Sequence, residues 1–323
     1  MNVNDRQKSS RIALEKSANR SRRSSDLKKI HQNYMLYIFV LPALIYIFIF
    51  SYWPMYGIQI AFKDFSAIKG IWGSSWVGLK HFRTFFKSYR FWTLLKNTLV
   101  LNLYQLVAGF PIPIILALIL SYSTMKRLSK IAQTSTYAPH FISTVVMVGM
   151  LILFLSPSNG VINKLLSYIN VGPVYFMGEE NYFKHIYVWS GIWQNTGWSS
   201  IIYIAVLTSV NPELHEAAVI DGASKLRRCW HIDIPEILPT ATILLIMRMG
   251  RIMNVGFEKV LLMQNDLNLN ASEVISTYTY KVGLIDAQYS YSTAIGLFNN
   301  VINFTLLVLV NYFARKSSDN SLW

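Results

Sequence analysis

A chain of 323 residues in which 53% are hydrophobic and only 14% charged is too apolar for a soluble domain, yet polar breaks divide it, which points to a helical protein crossing a membrane several times. The formal net charge of +14 does not mark a nucleic-acid surface, because nine basic residues precede Asn33, where they suit anionic lipid headgroups, and no basic stripe is interleaved with aromatics. A single cysteine, Cys229, excludes an intrachain disulfide and a cysteine metal cluster, and six dispersed histidines give no reason to expect a metal.

Residues 1–33 are rich in Ser, Lys and Arg and too poor in apolar side chains to build a core; they read as a flexible basic cytoplasmic tail. An apolar run over 34–60 follows, long enough for a first span, since a span needs roughly 20 such residues. No small-residue cleavage site follows it, so it reads as a span and not a signal peptide. Residues 61–90 mix Trp72, Trp76, Phe82, Phe85 and Phe86 with basic residues, as in a helix lying at the outer interface. Residues 91–121 give a second span. Gly109, Pro111 and Pro113 interrupt it, which is tolerated only inside a bundle that satisfies the freed backbone groups. Lys126, Arg127 and Lys130 mark a cytoplasmic turn, 136–155 a third span, and 156–184 an outer loop. The fourth span runs over 185–210. A polar interval over 211–239 comes next, then a fifth span over 238–263, an outer loop over 264–290, a sixth span over 291–313 and a short basic end over 314–323. The basic residues near the span ends place both termini and the 211–239 interval inside. The 61–90 segment, with its six basic residues, weighs against that bias without reversing it. No internal repeat is visible.

The polar interval carries the strongest local signals. Asn211 suits a helix cap and Pro212 the first helical position. Asp221-Gly222 then ends the short helix, because glycine tolerates the left-handed turn. Ala223 to His231 form a second helix, which Pro235 and Pro239 are expected to stop. Within it lie Glu216-Ala217-Ala218, Asp221-Gly222-Ala223 and, after a fixed interval, Ile232-x-x-Pro235. This pattern resembles the EAA loop of binding-protein-dependent ABC importer permeases, and its longer Glu-Ala-Ala-x-x-Asp-Gly-Ala-Ser form resembles the sugar-importer branch. The chain departs from it at Ile234, where Leu is usual, and at Cys229, where an aromatic is common and Trp230 stands beside it. Trp76 to Phe82 resembles the Gly-Leu-x-x-Phe segment before the second span of such permeases. The basic tail, Asn254 to Glu258 and Ile275 to Tyr278 are most similar to permeases handling oligosaccharides cut from polysaccharides.

The resemblance implies an all-α, six-span permease of the type I ABC importer kind, with a cytoplasmic coupling helix. It also implies a second homologous permease, two cytoplasmic ATPase subunits and an extracytoplasmic solute-binding protein, in a bacterial cell membrane. Glu216, Ala217, Ala218, Asp221, Gly222, Ala223, Ile232 and Pro235 would carry the ATPase coupling. The chain has no Gly-x-x-x-x-Gly-Lys-Ser/Thr phosphate loop and no Gly-x-Ser-x-Gly elbow, so catalysis and a cofactor of its own are not expected. An ion-coupled sugar carrier is the alternative, but it usually needs carboxylates inside spans. Here they lie in loops, Glu258 excepted. A membrane-embedded glycosyltransferase would need a large domain with clustered carboxylates, which is missing.

Two sets of residues suit a sugar path. Trp193 and Asn195 sit in the fourth span among further tryptophans, although an interfacial belt or the bundle core explains a single tryptophan as well. Arg248, Arg251 and Asn254 sit in the fifth, Arg248 about 15 Å along it from Leu238. On one continuous helix Arg248, Arg251 and Glu258 would share nearly one face. Two permanent charges there need partners or a wet cavity: either the arginines are tied to backbone carbonyls or to the partner permease, or at least one meets an acidic group such as a uronic acid carboxylate.

Overall fold

The computed structural model describes residues 33–317, the last without its side chain. The expected tail, Asn33 apart, and residues 318–323 lie outside the described residues. The chain divides into two units, Met1–Gln59 and Ile60–Trp323. In the first, α1 (Tyr34–Ile47) carries Pro42 and runs on into a π turn, Phe48–Tyr52. The whole run Tyr34–Phe62 is 29 residues long and apolar enough to cross a membrane.

The second unit is helical apart from one small hairpin, β1 (Lys63–Asp64) against β2 (Ser75–Trp76), with Lys63 opposite Trp76. Its helices are α2 (Gly70–Gly73), α3 (Lys80–Lys87), α4 (Phe91–Gly109), α5 (Pro111–Ser121), α6 (Lys126–Tyr137), α7 (Thr144–Phe154), α8 (Val161–Ser167) and α9 (Glu180–Ser209). Then come α10 (Pro212–Ile220), α11 (Lys225–Arg228), α12 (Ile234–Met249), α13 (Phe257–Met263), α14 (Leu269–Ser272), α15 (Ile275–Tyr280) and α16 (Tyr289–Ser317).

The 30-residue α9 is the post around which α4, α5, α6 and α12 pack, and α16 lies along α12 and α3. Lipid tails are as apolar as leucine, so close backbone approach and dispersion hold such helices together. Small residues make that approach possible. A Cβ at Gly197 of α9 would stand 2.1 Å from the Thr136 carbonyl oxygen, and one at Gly250 would stand 2.6 Å from Leu307. Three apolar clusters fill the unit. Leu101, Val188, Val260 and Val274 centre one, Phe85, Leu94, Met253 and Ile295 another, and Ala117, Tyr203, Leu207 and Ile237 the third.

Two of the expected spans are bent or broken, and the expected stop at Pro235 and Pro239 is corrected. The 136–155 stretch is not one straight helix: Lys126–Phe141 and Thr144–Phe154 meet at 101°. Pro139 breaks the first, and Ser143 starts the second by accepting a hydrogen bond from the Val146 N–H. Pro235 and Pro239 do not stop the loop's second helix. Helical backbone continues from Lys225 to Met249 through a π turn at Cys229–Asp233, and both prolines lie within this run. The 238–263 stretch breaks at Gly250, and α13 begins only at Phe257. By length and apolarity three helices qualify as spans, Tyr34–Phe62, Phe91–Ser121 and Tyr289–Lys316, or four if the bent pair counts as one.

The 264–290 stretch is packed and not an open loop. Glu273, 5% exposed, takes a two-oxygen contact from Arg90 Nη1 at 3.0 and 2.9 Å, with Lys281 at 3.8 Å. Asn97 Nδ2 donates to the Asn270 and Glu273 carbonyls, and Thr98 Oγ1 accepts from the Ile275 N–H. The polar residues that made this stretch read as a loop are those that seat it on α4. Its hydrogen-bonded guanidinium holds Arg90 further above the already high arginine range; the bond to Tyr89 contributes most, with Glu273 adding to it.

Candidate functional site

The break after α12 puts non-helical backbone in the middle of the bundle, and every freed group there needs a partner. Side chains of the flanking helices supply them. Asn303 Oδ1 accepts from the Met253 N–H at 2.9 Å, and the Tyr187 hydroxyl accepts from the Gly256 N–H at 3.1 Å. Asn254 Oδ1 accepts from both Asn299 Nδ2 and Asn303 Nδ2, at 2.8 and 3.0 Å, so the break is tied to α16 on one side and α9 on the other.

Around this break lies a cavity of about 440 Å³. α4 and α5 contribute Asn102, Gln105 and Pro113, α9 contributes Gly191, Asn195, Thr196 and Ser199, the end of α12 contributes Arg248, and the break contributes Arg251 and Asn254. Four residues singled out from the sequence, Asn195, Arg248, Arg251 and Asn254, therefore meet in one space. They do so because the helix ends between the two arginines, not because a continuous helix presents one face. Glu258 starts the next helix, is exposed and does not line the cavity. Trp193 is also outside the lining, 51% exposed on another face of α9. Its neighbours have structural partners: Trp189 Nε1 donates to the Tyr104 hydroxyl at 2.8 Å, and Trp198 stacks on His140 at 4.6 Å.

The arginines are not neutralised from within. No carboxylate among the described residues forms an ion pair with Arg248 or Arg251, and Arg248 sits 5.6 Å from the centre of the Phe110 ring. Asn195 is oriented by two bonds, donating to the Gly191 carbonyl at 3.0 Å while its Oδ1 stands 3.0 Å from His140 Nδ1. The space thus presents two fixed cations and several amides, a donor set for carboxylates and hydroxyls.

The second group of residues lies in the 211–239 interval. Asn211 Oδ1 accepts from the Glu213 N–H at 3.1 Å and caps α10, which opens on Pro212. At the other end Gly222 has φ +75°, with Gly222 N–H bonded to the Val219 carbonyl and Ala223 N–H to the Ala218 carbonyl. This pair of bonds is the glycine-terminated helix end that needs a left-handed residue. Ser224 caps α11 by accepting from the Arg227 N–H. Glu216, Ala217, Asp221 and Pro235 are exposed; Ala218, Ala223 and Ile232 are half-buried.

One feature of the interval was not legible in the sequence. Asp233, 4% exposed at the π turn, accepts from the Tyr122 hydroxyl at 2.5 Å and stands 3.3 Å from His215 Nε2. α10, the end of α5 and the base of α12 are joined at this carboxylate. Burial, helped by the bond to Asp233, pushes the Tyr122 hydroxyl well above its ordinary value, so it remains a donor. Burial chiefly, and the nearby Asp233 charge, also raise the Cys229 thiol.

A helical bundle with apolar span-length helices, broken at mid-bundle around a polar cavity, defines a membrane transport protein. The chain belongs to the family of the binding-protein-dependent transport system inner membrane component, whose model matches residues 109–319. It is similar to the polygalacturonan/rhamnogalacturonan transport system permease protein YteP of Bacillus subtilis, 42% identical over 92% of each chain. It is also similar to a chain in the crystal structure of a bacterial alginate ABC transporter in complex with an alginate pentasaccharide-bound periplasmic protein, at 40% identity and TM-score 0.85, covering 91% of this chain and 99% of that one. A second structure, of a bacterial ABC transporter involved in the import of the acidic polysaccharide alginate, matches at 41% identity and TM-score 0.84, covering 90% and 98%. The fold is that of an ABC importer permease, and such permeases are transport components and not enzymes. The ion-coupled carrier finds no support in these matches, nor does the glycosyltransferase.

Proposed function

We propose that this chain is one of two permease subunits of an ATP-driven importer that carries acidic oligosaccharides across a bacterial cytoplasmic membrane. The observation that carries the reading is the cavity in which Arg248 and Arg251 meet amide side chains with no carboxylate among the described lining residues. The matches to a polygalacturonan/rhamnogalacturonan permease and to an alginate transporter support it. Asn195 and Asn254 offer hydrogen bonds to sugar hydroxyls, and a uronate carboxylate fits the forked geometry of guanidinium.

In this reading six spans, over 34–60, 91–121, 136–155, 185–210, 238–263 and 291–313, leave both termini and the 211–239 interval in the cytoplasm. The interval seats on an ATPase subunit through α10, with Glu216, Ala217, Ala218, Asp221, Gly222, Ala223, Ile232 and Pro235 as its coupling residues. A second ATPase serves the partner permease, and a solute-binding protein delivers the sugar outside. Exposed apolar side chains support the docking: Ile220 is 85%, Leu226 83% and Trp230 68% exposed, more than a polar linker needs. Helical backbone from Lys225 to Met249 supplies a lever on the order of 36 Å long, at about 1.5 Å per residue, from the loop to the arginines. Movement of α10 by the ATPase passes through the Asp233 junction to α5 and α12 and reopens the cavity on the other side. Uptake of galacturonate and alginate oligosaccharides by cells with and without this chain tests the reading. Loss of acidic but not unrelated sugar uptake is expected on deletion; unchanged uptake of every acidic oligosaccharide contradicts it.

A further inference from the structure

A buried cation outside the arginine pair has no evident structural need for its charge. Lys259, on α13, is only 9% exposed, and no carboxylate among the described residues pairs with it. An ammonium carries three N–H donors. One goes to the Tyr187 carbonyl at 3.0 Å, and Nζ lies 5.0 Å from the centre of that tyrosine's ring. The other two have no acceptor among the described residues. Burying an unpaired charge costs several kcal/mol, so an ionisable residue inside a membrane bundle marks a functional position by default.

Lys259 stands behind the cavity wall at a point where the wall has no side chain. A Cβ built on Gly191, which lines the cavity, would lie 3.3 Å from Lys259 Nζ and 3.6 Å from Gln105 Nε2. Gln105 also lines the cavity, and its amide makes no hydrogen bond within the described residues. Two unspent donors, one of them charged, thus converge on the gap that glycine leaves in α9. Methionine or leucine at 259 would fill the same volume without the charge, and alanine at 191 would put a methyl group into the gap, 3.3 Å from Nζ.

We propose that Lys259, Gln105 and the side-chain-free position at Gly191 form a second acid-binding subsite of the cavity, which takes the carboxylate of a sugar residue other than the one held by Arg248 and Arg251. The proposal rests on the acidic-oligosaccharide reading and sharpens it. The preferred substrate class is an oligouronate with carboxylates on at least two sugar units, since the helix break of residues 250–256 separates the two cationic positions.

The test uses the complete transporter in membrane vesicles with two probes: trigalacturonate, and the same trisaccharide methyl-esterified at two of its three carboxyls. Lys259→Gln should raise the KM for trigalacturonate about tenfold and leave that of the ester within about twofold, while Lys259→Arg restores the difference. Gly191→Ala should act as Lys259→Gln does, and it decides the matter if the lysine variant fails to assemble, because it leaves the ammonium in place. Equal changes for both probes, or none, overturn the subsite while the acidic reading stands. Failure of the wild-type complex to import either probe overturns both.

Discussion

The 211–239 interval and the cavity at the end of α12 are joined by one helical run, Lys225–Met249, yet they are built in opposite ways. In the interval each special residue acts on its immediate neighbours: Asn211 on Glu213, Gly222 on the turn between Val219 and Ala223, Ser224 on Arg227. In the cavity nearly every partner is distant: Met253 leans on Asn303, Gly256 on Tyr187, and Arg248 and Arg251 meet residues of α4 and α9. A local device survives in isolation and shows in the sequence. A tertiary device exists only when the bundle closes.

The largest effect should come from the local device. Gly222→Val places a β-branched residue at φ +75°, where it is a steric outlier. Transport should fall by about a hundredfold or more while insertion is normal, because the turn that positions α10 is lost. Wild-type uptake would show that this turn does not couple the subunits.

The junction between the two regions comes next. Asp233→Ala leaves the Tyr122 hydroxyl without its acceptor and His215 without its partner, costing about 1–3 kcal/mol of stability. Transport per ATP hydrolysed should fall more than ATP hydrolysis itself, and Tyr122→Phe should reproduce the loss of coupling with a smaller loss of thermal stability. Proportional loss of both activities would make Asp233 a folding residue only. In the cavity, Asn303→Leu removes the acceptor of the Met253 N–H and a donor to Asn254, again about 1–3 kcal/mol, read as a lower melting temperature in detergent.

Cys229 gives the smallest and cleanest effect. Its thiol is raised above the ordinary value by burial and by Asp233, so at neutral pH the thiolate fraction is lower than that of a free thiol. Maleimide labelling in opened vesicles should therefore be slow and climb about tenfold per pH unit until the raised value is passed. Asp233→Asn should speed it. An impermeant maleimide should leave intact cells unlabelled; labelling from outside would invert the proposed topology.

The same contrast explains what could be read before folding. Asn211, Pro212 and Gly222 announce a capped, glycine-ended helix because caps and left-handed turns are decided within four residues. Pro235 and Pro239 misled, since a proline's effect depends on backbone register, and the π turn at Cys229–Asp233 shifts that register. The break after Arg248 was invisible for the converse reason: what makes it tolerable is Asn303 and Tyr187, fifty and sixty-nine residues away. Arg248, Arg251, Asn195 and Asn254 were found because polar side chains in spans are costly, which flags them without saying how they meet. Lys259 was missed, because its burial depends on Tyr187, seventy-two residues away. Glu273 was placed in an outer loop and Arg90 in an interfacial segment, because nothing local reveals that 183 positions apart they form one ion pair.

In the proposed reading the two cavity arginines recognise acid on the transported sugar. The most direct test is transport of trigalacturonate and of its fully methyl-esterified form by the purified complex in proteoliposomes, comparing wild type with the Arg248→Gln, Arg251→Gln double variant. Glutamine keeps polarity and much of the length while removing the charge. The double variant is expected to assemble and hydrolyse ATP, with its KM for the acid raised at least about tenfold and the ester carried as before. Unchanged kinetics for the acid in an assembled double variant would contradict it.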